Sequence, residues 1–370
     1  MTSRPRPTFF SVLVLPLLLA TGAASGAELT LTVSNADEEA ELILYLYEDP
    51  DRFGSLGEPE RQFRFSPPEP LVIEVPAGEY AALLFQDDNR NGELDRNFIG
   101  IPREPIALTN DYRPKGPPSF QRARIRLNEQ EAAKQTMALY RPLGPSGQLG
   151  VGIGMVGQSS PYRDSNAQPV QAIPAIFYIG ERLQWTGPRL RYTLTGSTDW
   201  RLALQGDLRL GAYEEADSPY LAGMGDRGNT FMLGLAVIGD LPGNFRLSGS
   251  VSQDLLDHSG GQVASLSISR GFQWGNARLS PSVGVNWLSS ELADYEFGVP
   301  SRAATEWRPA YSPGSTLNPE VGLSVFYEIT TGWQLIGNIG AEQLDSRLTD
   351  SPLVDEERLV KGFLALGYTF

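Results

Sequence analysis

The sequence has 370 residues, which is long for one small domain and fits either two folded units or one large all-β unit. It contains no cysteine, so disulfides, thiolate metal sites, cysteine nucleophiles and a lipidated lipoprotein N-terminus are excluded. The formal net charge is −14, and a chain this acidic is unsuited to binding nucleic acid.

The N-terminus has the pattern of an export signal. Arg4 and Arg6 precede an apolar stretch from Phe9 to Ala20, and Ser25-Gly26-Ala27 is a small-residue cleavage site. We expect residues 1–27 to be a signal peptide; losing its two arginines takes the formal charge from −14 to −16. No later segment has the roughly 18 uninterrupted apolar residues of a spanning helix, so the mature chain is either soluble or crosses a membrane as strands.

Residues 28–140 contain short strand-like runs separated by Pro, Gly, Asp and Asn. The runs are Glu28–Val33, Glu41–Tyr47, Leu71–Val75, Tyr80–Phe85, Arg122–Leu127 and Met137–Tyr140. This spacing predicts a β-sandwich of immunoglobulin or transthyretin type. Residues 141–147, rich in Pro and Gly, are expected to link it to a second unit.

The sharpest motif of this first unit resembles the opening of a calcium loop. Gly92 permits a tight reversal, and hard cations such as Ca²⁺ take six to eight oxygen ligands. An EF-hand would carry a bidentate Glu at its twelfth position, where this chain has Phe98. The alternative is a turn whose side chains satisfy their own backbone. The candidate metal ligands are Asp87, Asn89, Asn91, Glu93 and Asp95.

Residues 148–370 alternate apolar and polar side chains over segments of about ten to thirteen residues. One face of the segment from Trp200 to Leu210 is apolar apart from Gly206, and the other carries Arg201, Gln205, Asp207 and Arg209. Such segments exceed ordinary sandwich strands and, tilted near 40°, cover the roughly 25 Å apolar band of an outer membrane. The second unit is therefore predicted to be an outer-membrane β-barrel.

The segments number about eleven, whereas bacterial single-chain barrels have even strand numbers. The alternation changes phase at Gly187-Pro188, so the segment counted there as one is expected to contain two strands. We therefore predict an all-β protein with an N-terminal periplasmic sandwich followed by an antiparallel barrel of twelve strands, with ten as the alternative.

Eight charged residues are predicted to face the barrel lumen. They either line a polar channel or pair with each other and fill the interior, and the second interpretation is favoured for a barrel of this size. The residues are Arg189, Arg191, Arg201, Asp207, Arg209, Glu320, Glu328 and Glu342.

The longest connection, Ser290 to Thr316, should lie outside the cell. Its aromatic residues and arginines either anchor a partner or pack as a lid over the barrel mouth. These residues are Tyr295, Phe297, Trp307, Tyr311, Arg302 and Arg308.

A hydrolase would need His258, the only histidine, beside Ser259. Adjacent residues rarely converge on one substrate, so His258 is better explained as a solvated loop residue, and we expect no enzymatic activity.

With these residues in view, the second unit resembles the MipA/OmpV family of outer-membrane barrels. The resemblance rests on the alternating glycine-rich strands, on 295–299 (YEFGV), on 350–354 (DSPLV) and on the terminal Gly367-Tyr368-Thr369-Phe370. The segment 161–165 (PYRDS) departs from the family, which more often has a Tyr-Glu-Gly-Ser-like run there.

Residues 28 to about 140 resemble a second bacterial family, domain of unknown function 2141. Four ordered motifs carry this resemblance: 76–80 (PAGEY), the Asp87 to Asp95 loop, 97–102 (NFIGIP) and 116–120 (GPPSF). That family has no established activity.

The MipA/OmpV resemblance implies outer-membrane lipid as the surroundings and a scaffold that links murein hydrolases and synthases. The expected function is a non-enzymatic scaffold or envelope-organising factor connected to murein synthesis and remodelling. A porin-like small-solute channel or a surface adhesin is the alternative. The only cofactor considered is Ca²⁺ at the Asp87 to Asp95 loop.

Overall fold

The computed structural model describes residues 26–129, 132–167, 170–197 and 199–370. The predicted signal peptide lies outside the described residues except for Gly26 and Ala27. Ala27 is the first residue of the first strand, where it is fully buried and pairs with Val75.

The N-terminal domain contains eight strands and two short helices. The strands are β1 Ala27–Ser34, β2 Leu42–Tyr47, β3 Arg61–Phe65, β4 Leu71–Val75, β5 Gly78–Gln86, β6 Ile106–Leu108, β7 Ile125–Leu127 and β8 Ala133–Ala138. The helices are α1 Pro50–Ser55 and α2 Phe120–Ala123, with a 3₁₀ turn at Thr109–Asp111.

Two sheets pack face to face in this domain, as predicted. The outer sheet has the order β4-β1-β8 and the inner sheet the order β3-β2-β5-β6, with β7 also paired to β5. Leu29 and Ile73 of the outer sheet meet Leu44 and Leu84 of the inner sheet in the main core. Because burial of apolar surface drives this packing, the sheets are held as a sandwich.

The inner sheet is buried on both faces, which explains why β2 is apolar at every position. Its second face packs Tyr47 and Phe85 against Phe53 of α1 and Phe120 of α2. This layer of helices and loops separates the sandwich from the barrel. The order of layers is therefore outer sheet, inner sheet, helix and loop layer, and barrel.

Four details of the sequence-based assignment are wrong, one of which is that the short strand Ile106–Leu108 was not predicted. Residues 120–123 form α2, so the strand predicted from Arg122 begins only at Ile125. The last strand is Ala133–Ala138 rather than Met137–Tyr140, because it pairs in parallel with β1. The strand Arg61–Phe65 was not predicted, since its two arginines and one glutamine hide the apolar alternation.

The second unit is a closed antiparallel barrel. Its strands are β9 Gln148–Gln158, β10 Val170–Ile179, β11 Leu183–Thr186, β12 Arg189–Gly196, β13 Trp200–Arg209, β14 Thr230–Leu241, β15 Phe245–Asp254, β16 Gln262–Arg270, β17 Phe272–Trp274, β18 Ala277–Leu288, β19 Thr316–Thr330, β20 Trp333–Gln343 and β21 Arg358–Thr369. The last strand pairs with the first, and β16 pairs with β18, so the ring is complete.

The barrel has twelve strands, because β16 and β17 are two halves of one strand interrupted at Gly271. The predicted number is confirmed. The additional strand is created where it was expected, since β11 and β12 are joined by Gly187-Pro188 and Gly187 has a positive φ of 58°.

Apolar side chains cover the outer face of the barrel. Ile153, Val283 and Val321 are each more than half exposed, whereas Arg201 and Gln205 on the opposite face are buried. The predicted assignment of strand faces is therefore confirmed. No helix among the described residues is long and apolar enough to cross a membrane.

The two ends of the barrel differ. At one end most strands are joined by tight turns, such as 242–244, 275–276 and 331–332. At the other end lie longer connections with helices α3 Ser290–Phe297 and α4 Ser346–Thr349 and 3₁₀ turns at Glu215–Asp217, Pro219–Leu221 and Ser301–Ala303. In outer-membrane barrels short turns face the periplasm and long loops face outward.

Candidate functional site: the barrel lumen and its plug

A tight loop of the N-terminal domain projects into the barrel at the end with short turns; we call residues 95–102 the plug segment. Asn97 shapes this loop, because its side-chain oxygen and its backbone carbonyl accept N–H groups of Ile101 and Gly100, each at 2.9 Å. Gly100 has a φ of +98°, a conformation that glycine adopts readily.

Phe98, at the tip of the plug segment, lies inside the barrel and is 1% exposed. Its ring packs against Ala203 of β13 and Ala236 of β14, whose small side chains leave room for it. The Phe98 N–H donates to Thr193 Oγ1 at 3.2 Å, and the guanidinium carbon of Arg191 lies 5.1 Å from the ring centroid. An aromatic ring therefore occupies the lumen at this end.

Arg96 connects the plug segment to both units. Its guanidinium, 1% exposed, donates to the carbonyl oxygens of Ser55 and Leu56 in its own domain. It also lies 3.9 Å from the carboxylate of Asp240 on β14. Burial without partners would be costly for this cation, so these contacts hold the loop in one position.

Around the plug segment, further polar contacts join the N-terminal domain to the short-turn end of the barrel; we call these contacts the polar rim. Glu328 of β19, 3% exposed, accepts the Tyr112 hydroxyl at 2.8 Å and lies 3.0 Å from Arg122 Nη1. Burial and the neighbouring Glu328 raise the pKa of Tyr112, which stays a hydrogen-bond donor. Asp51 accepts the Gln273 N–H at 2.6 Å on the far side of the rim.

The opposite end of the barrel is covered by its own loops. Phe297 of α3 and Tyr162 stack with ring centroids 6.0 Å apart within a buried apolar cluster. Glu296 of α3 receives two hydrogen bonds from Arg209 of the barrel wall, at 2.7 and 2.8 Å. A bidentate charged contact of this kind is strong and directional. It fixes this cover, which we call the lid, to the lumen.

The alternatives for the longest connection can now be separated residue by residue. Phe297 and Arg308 are buried in the lid, and Arg308 donates to the carbonyl oxygens of Tyr220 and Ala303 at 2.5 and 2.7 Å. Trp307 is 55% exposed and Arg302 is also exposed. Most of the connection is therefore self-packed, with Trp307 left at the surface.

A cavity of about 750 Å³ lies between plug and lid. The predicted lumen charges are engaged by polar groups, but of the eight only Arg189 and Asp207 pair with each other in the described part of the chain, and the remaining partners lie outside the predicted set. The contacts are Arg189 with Asp207, Arg191 with Gln205, Arg201 with Asp240, Arg209 with Glu296, Glu320 with Asn286, Glu342 with Asn318 and Lys361, and Glu328 with Tyr112 and Arg122.

The candidate calcium ligands lie together in one loop beside the plug segment. Asp87 accepts the N–H groups of Asn91 and Gly92 at 3.2 and 2.7 Å, and Asp95 accepts the side-chain amides of Asn89 and Asn91. The described residues contain no group of three or more His, Cys, Asp or Glu side chains suited to a metal ion. The loop geometry is that of a self-satisfied turn, and calcium binding stays a prediction.

Glu104 supports the base of this loop. Its two carboxylate oxygens accept the N–H groups of Asp88 and Asp95 at 3.1 and 3.0 Å. Burial, together with the nearby carboxylates of Asp95 and Asp87, raises the pKa of Glu104 to about 7. The charge state of this loop therefore changes near neutral pH.

His258 lies exposed in the loop between β15 and β16. The adjacent Ser259 hydroxyl donates to Asp254 at 2.8 Å, and no hydrogen bond joins it to His258 in the described part of the chain. This arrangement fits a solvated loop residue and gives His258 no nucleophile to activate.

Comparison with known proteins agrees with this architecture. Residues 151–370 match the family described as MltA-interacting protein MipA. The chain belongs to this family. Residues 32–135 match a second family, described as an uncharacterized protein conserved in bacteria, so both predicted resemblances are confirmed.

Curated relatives of this MipA-family chain are outer-membrane proteins. The MltA-interacting protein of Escherichia coli K12 is 27% identical over 226 residues, which cover 60% of this chain and 88% of the relative. The outer membrane protein OmpV of Vibrio cholerae is 27% identical over 212 residues, covering 56% and 81%. Among solved structures, the NanC porin has a TM-score of 0.29 at 9% identity, covering 60% of this chain and 98% of the porin. The protein is an outer-membrane β-barrel protein of the MipA type.

Sequence reasoning did not identify the plug. Phe98, Ile99 and Ile101 are apolar residues within a loop otherwise rich in Asn, Asp and Gly, which was the available signal. Their partners Ala203 and Ala236 are more than 100 positions away, so no local pattern predicts the contact.

Proposed function

We propose that this protein is a non-enzymatic outer-membrane scaffold whose barrel anchors the N-terminal domain at the periplasmic face. The domain would present its outer sheet to murein hydrolases or synthases. The observation that carries the proposal is the seating of Arg96 and Phe98 in the barrel, which holds the domain rigidly rather than on a free linker.

Side chains placed at both ends of the lumen support an anchoring role over the porin-like alternative. A solute pathway needs an opening at each end, and here Phe98 occupies one end while Phe297 and Tyr162 cover the other. The surface-adhesin alternative has less support, because Trp307 is the only one of the four aromatic residues in the longest connection that is more than half exposed.

The outer sheet is the part of the domain farthest from the barrel. Glu28 and Glu74 lie directly opposite each other on exposed positions of β1 and β4, and Val72 beside them is 55% exposed. Like charges opposite one another are unfavourable in an isolated sheet, and a cationic partner surface would relieve this repulsion. The Escherichia coli relative is named MltA-interacting protein, which makes murein enzymes the partners to test first.

The proposal is tested by capture from envelope extract. Full-length protein is immobilised in detergent and the bound proteins are identified by mass spectrometry. We expect murein hydrolases or synthases to be enriched and to be lost with Glu28→Lys/Glu74→Lys. Glu306→Lys in the exposed lid is the matched control and should retain them. Absence of any murein enzyme, or equal capture by all three proteins, would contradict the proposal.

Planar bilayer recordings test the channel alternative directly. The full chain is expected to be electrically silent, because Phe98 at one end and the lid at the other narrow the path. Stable conductance steps that change selectivity on charge reversal at Arg209 would instead support solute passage through the lumen.

A further inference from the structure

A second cavity, of about 490 Å³, lies at the junction between the N-terminal domain and the barrel. The walls come from α1 and the chain after it, from the turn between β14 and β15, and from the beginning of β18. Four arginines line it: Arg52, Arg96, Arg246 and Arg278.

Asp240 is shared by three guanidinium groups. It lies 2.6 Å from Arg201, 2.7 Å from Arg246 and 3.9 Å from Arg96. One carboxylate is thus shared among several guanidinium groups. Arg96 and Arg201 are each about 1% exposed, which keeps water from screening them.

Arg278 lines the same cavity. In the part of the chain that the structure describes, no ion pair joins it to a carboxylate, and its Nη1 is buried without a hydrogen-bond partner. The Asp51 carboxylate is nearby and offsets part of the Arg278 charge, while its Oδ1 accepts the Gln273 N–H. Arg278 is thus a buried donor without an acceptor, which native proteins usually avoid.

Packing holds the Arg278 guanidinium at the edge of the cavity. A Cβ atom added to Gly271 would lie 2.0 Å from its Nη2, and one added to Gly54 would lie 2.7 Å from its Nη1. Glycines on the barrel and on α1 therefore leave a slot of the right size for this group. A side chain fixed in this way is preorganised to bind rather than free to turn to solvent.

Three further carboxylates lie at the exposed edge of the cavity. Glu58, Glu93 and Asp199 line it, all three are exposed, and among the described residues none of them forms an ion pair. These three exposed carboxylates repel a large polyanion but leave room for a small anion. Ser269 and Ser280, which also line the cavity, add hydroxyl donors.

We propose that this cavity binds a phosphate-type oxyanion, held chiefly by Arg246 and Arg278. Guanidinium groups match phosphate oxygens with paired hydrogen bonds, and an oxyanion would supply an acceptor for the unpartnered Nη1 of Arg278. The source is either free phosphate or the headgroup of an inner-leaflet phospholipid, since the cavity lies at the short-turn end of the barrel.

The first experiment measures phosphate binding by the full chain in detergent and chloride buffer. Inorganic phosphate at millimolar concentration should raise the melting temperature of the wild type and bind measurably by calorimetry. Arg278→Gln should weaken binding at least tenfold, and Arg278→Lys should weaken it less because the charge remains. Arg270→Gln is the matched control, since the Arg270 guanidinium stacks on the rings of Phe245 and Phe272 and is not among the residues that line the cavity.

Arg278→Gln also has a readout without added anion. Because it removes an unpaired buried charge, it should leave the melting temperature in chloride buffer unchanged or higher. If the variant does not fold, the comparison of wild type, Arg278→Lys and Arg270→Gln still decides the question. No phosphate effect beyond that of chloride, or equal binding by wild type and the Arg278 variants, would overturn the proposal.

Native mass spectrometry distinguishes the two sources. Phosphatidylglycerol retained by wild type and Arg270→Gln, but not by Arg278→Gln, identifies the headgroup as the ligand. Phosphate binding without retained lipid identifies the free ion. If the protein is folded and shows neither retained lipid nor phosphate binding, the site is refuted.

Discussion

Replacing Phe98 with alanine is expected to release the N-terminal domain from the barrel. The ring is 1% exposed and is the main apolar group that the domain inserts into the lumen. Truncation of a buried Phe to Ala typically costs about 3 to 5 kcal/mol. At about 1.4 kcal/mol per factor of ten, the ratio of docked to undocked molecules should fall by roughly two to three orders of magnitude.

Because the sequence has no cysteine, spin labels attach only at the cysteines that are introduced. Spin labels at Glu69→Cys on the domain and Thr331→Cys on a short barrel turn, both exposed positions, report one distance between the two units. The wild type should give a narrow distance distribution, and Phe98→Ala a broad one. Phe272→Ala, at a position that is 38% exposed on the outer face, is the control and should leave the distribution narrow.

Two outcomes would refute this reasoning. A narrow distribution in Phe98→Ala at an unchanged melting temperature would mean that the polar rim alone holds the domain. A broad distribution already in the wild type would mean that the plug is not the resting state. Phe98→Leu, which keeps most of the apolar volume, should remain docked.

Four further predictions concern the rim, the domain and the lid. A double-mutant cycle of Glu328→Gln and Arg122→Gln should give a coupling of about 1 to 3 kcal/mol in the same docking assay, and additive effects would exclude a direct contact. Because the pKa of Glu104 is raised to about 7, the native domain binds its proton more tightly than the unfolded chain does. The stability of the domain should therefore fall as pH rises from about 5 to 7, and thermal melts of Glu104→Gln should show a flatter pH dependence. If the Asp87 loop binds calcium, calorimetry of the wild type should show a calcium-dependent rise in melting temperature that Asp87→Ala lacks; no rise in the wild type ends that prediction. Arg308→Ala leaves two carbonyl oxygens unpaired and should cost about 1 to 3 kcal/mol, seen as faster external proteolysis of the 290–316 connection while detergent resistance of the barrel is unchanged.

The barrel was predictable because the pattern that specifies each strand lies within that strand. Every spanning strand must place apolar side chains toward lipid, so the period-two pattern persists over ten or more residues and both faces can be assigned. A turn must interrupt that pattern, and Gly187-Pro188 shows the interruption in the sequence. The alternation in the last predicted segment likewise corresponds to β21, which closes the ring.

The N-terminal domain was less predictable because its strands are short and one sheet is buried on both faces. Arg61–Phe65 has too few apolar residues to stand out, and residues 120–123 adopt a helical turn because Phe120 packs on Phe53. These assignments depend on tertiary contacts, which override local preference in short segments.

The plug and the junction cavity were not predictable, because they consist of contacts between the two units. Nothing near Arg96 in the sequence indicates Asp240 as its partner, and nothing near Arg278 indicates that Gly54 lies against it. Composition showed only an acidic chain, whereas the junction concentrates buried positive charge.

Pairing of β21 with β9 has a consequence for assembly in the cell. The ring cannot be completed until the last residues of the chain arrive, whereas the domain that carries Phe98 precedes every barrel strand and can fold earlier. If the N-terminal domain folds first, the barrel closes around the plug segment. The machinery that inserts this protein must then keep the partly formed barrel open until the plug segment has entered it.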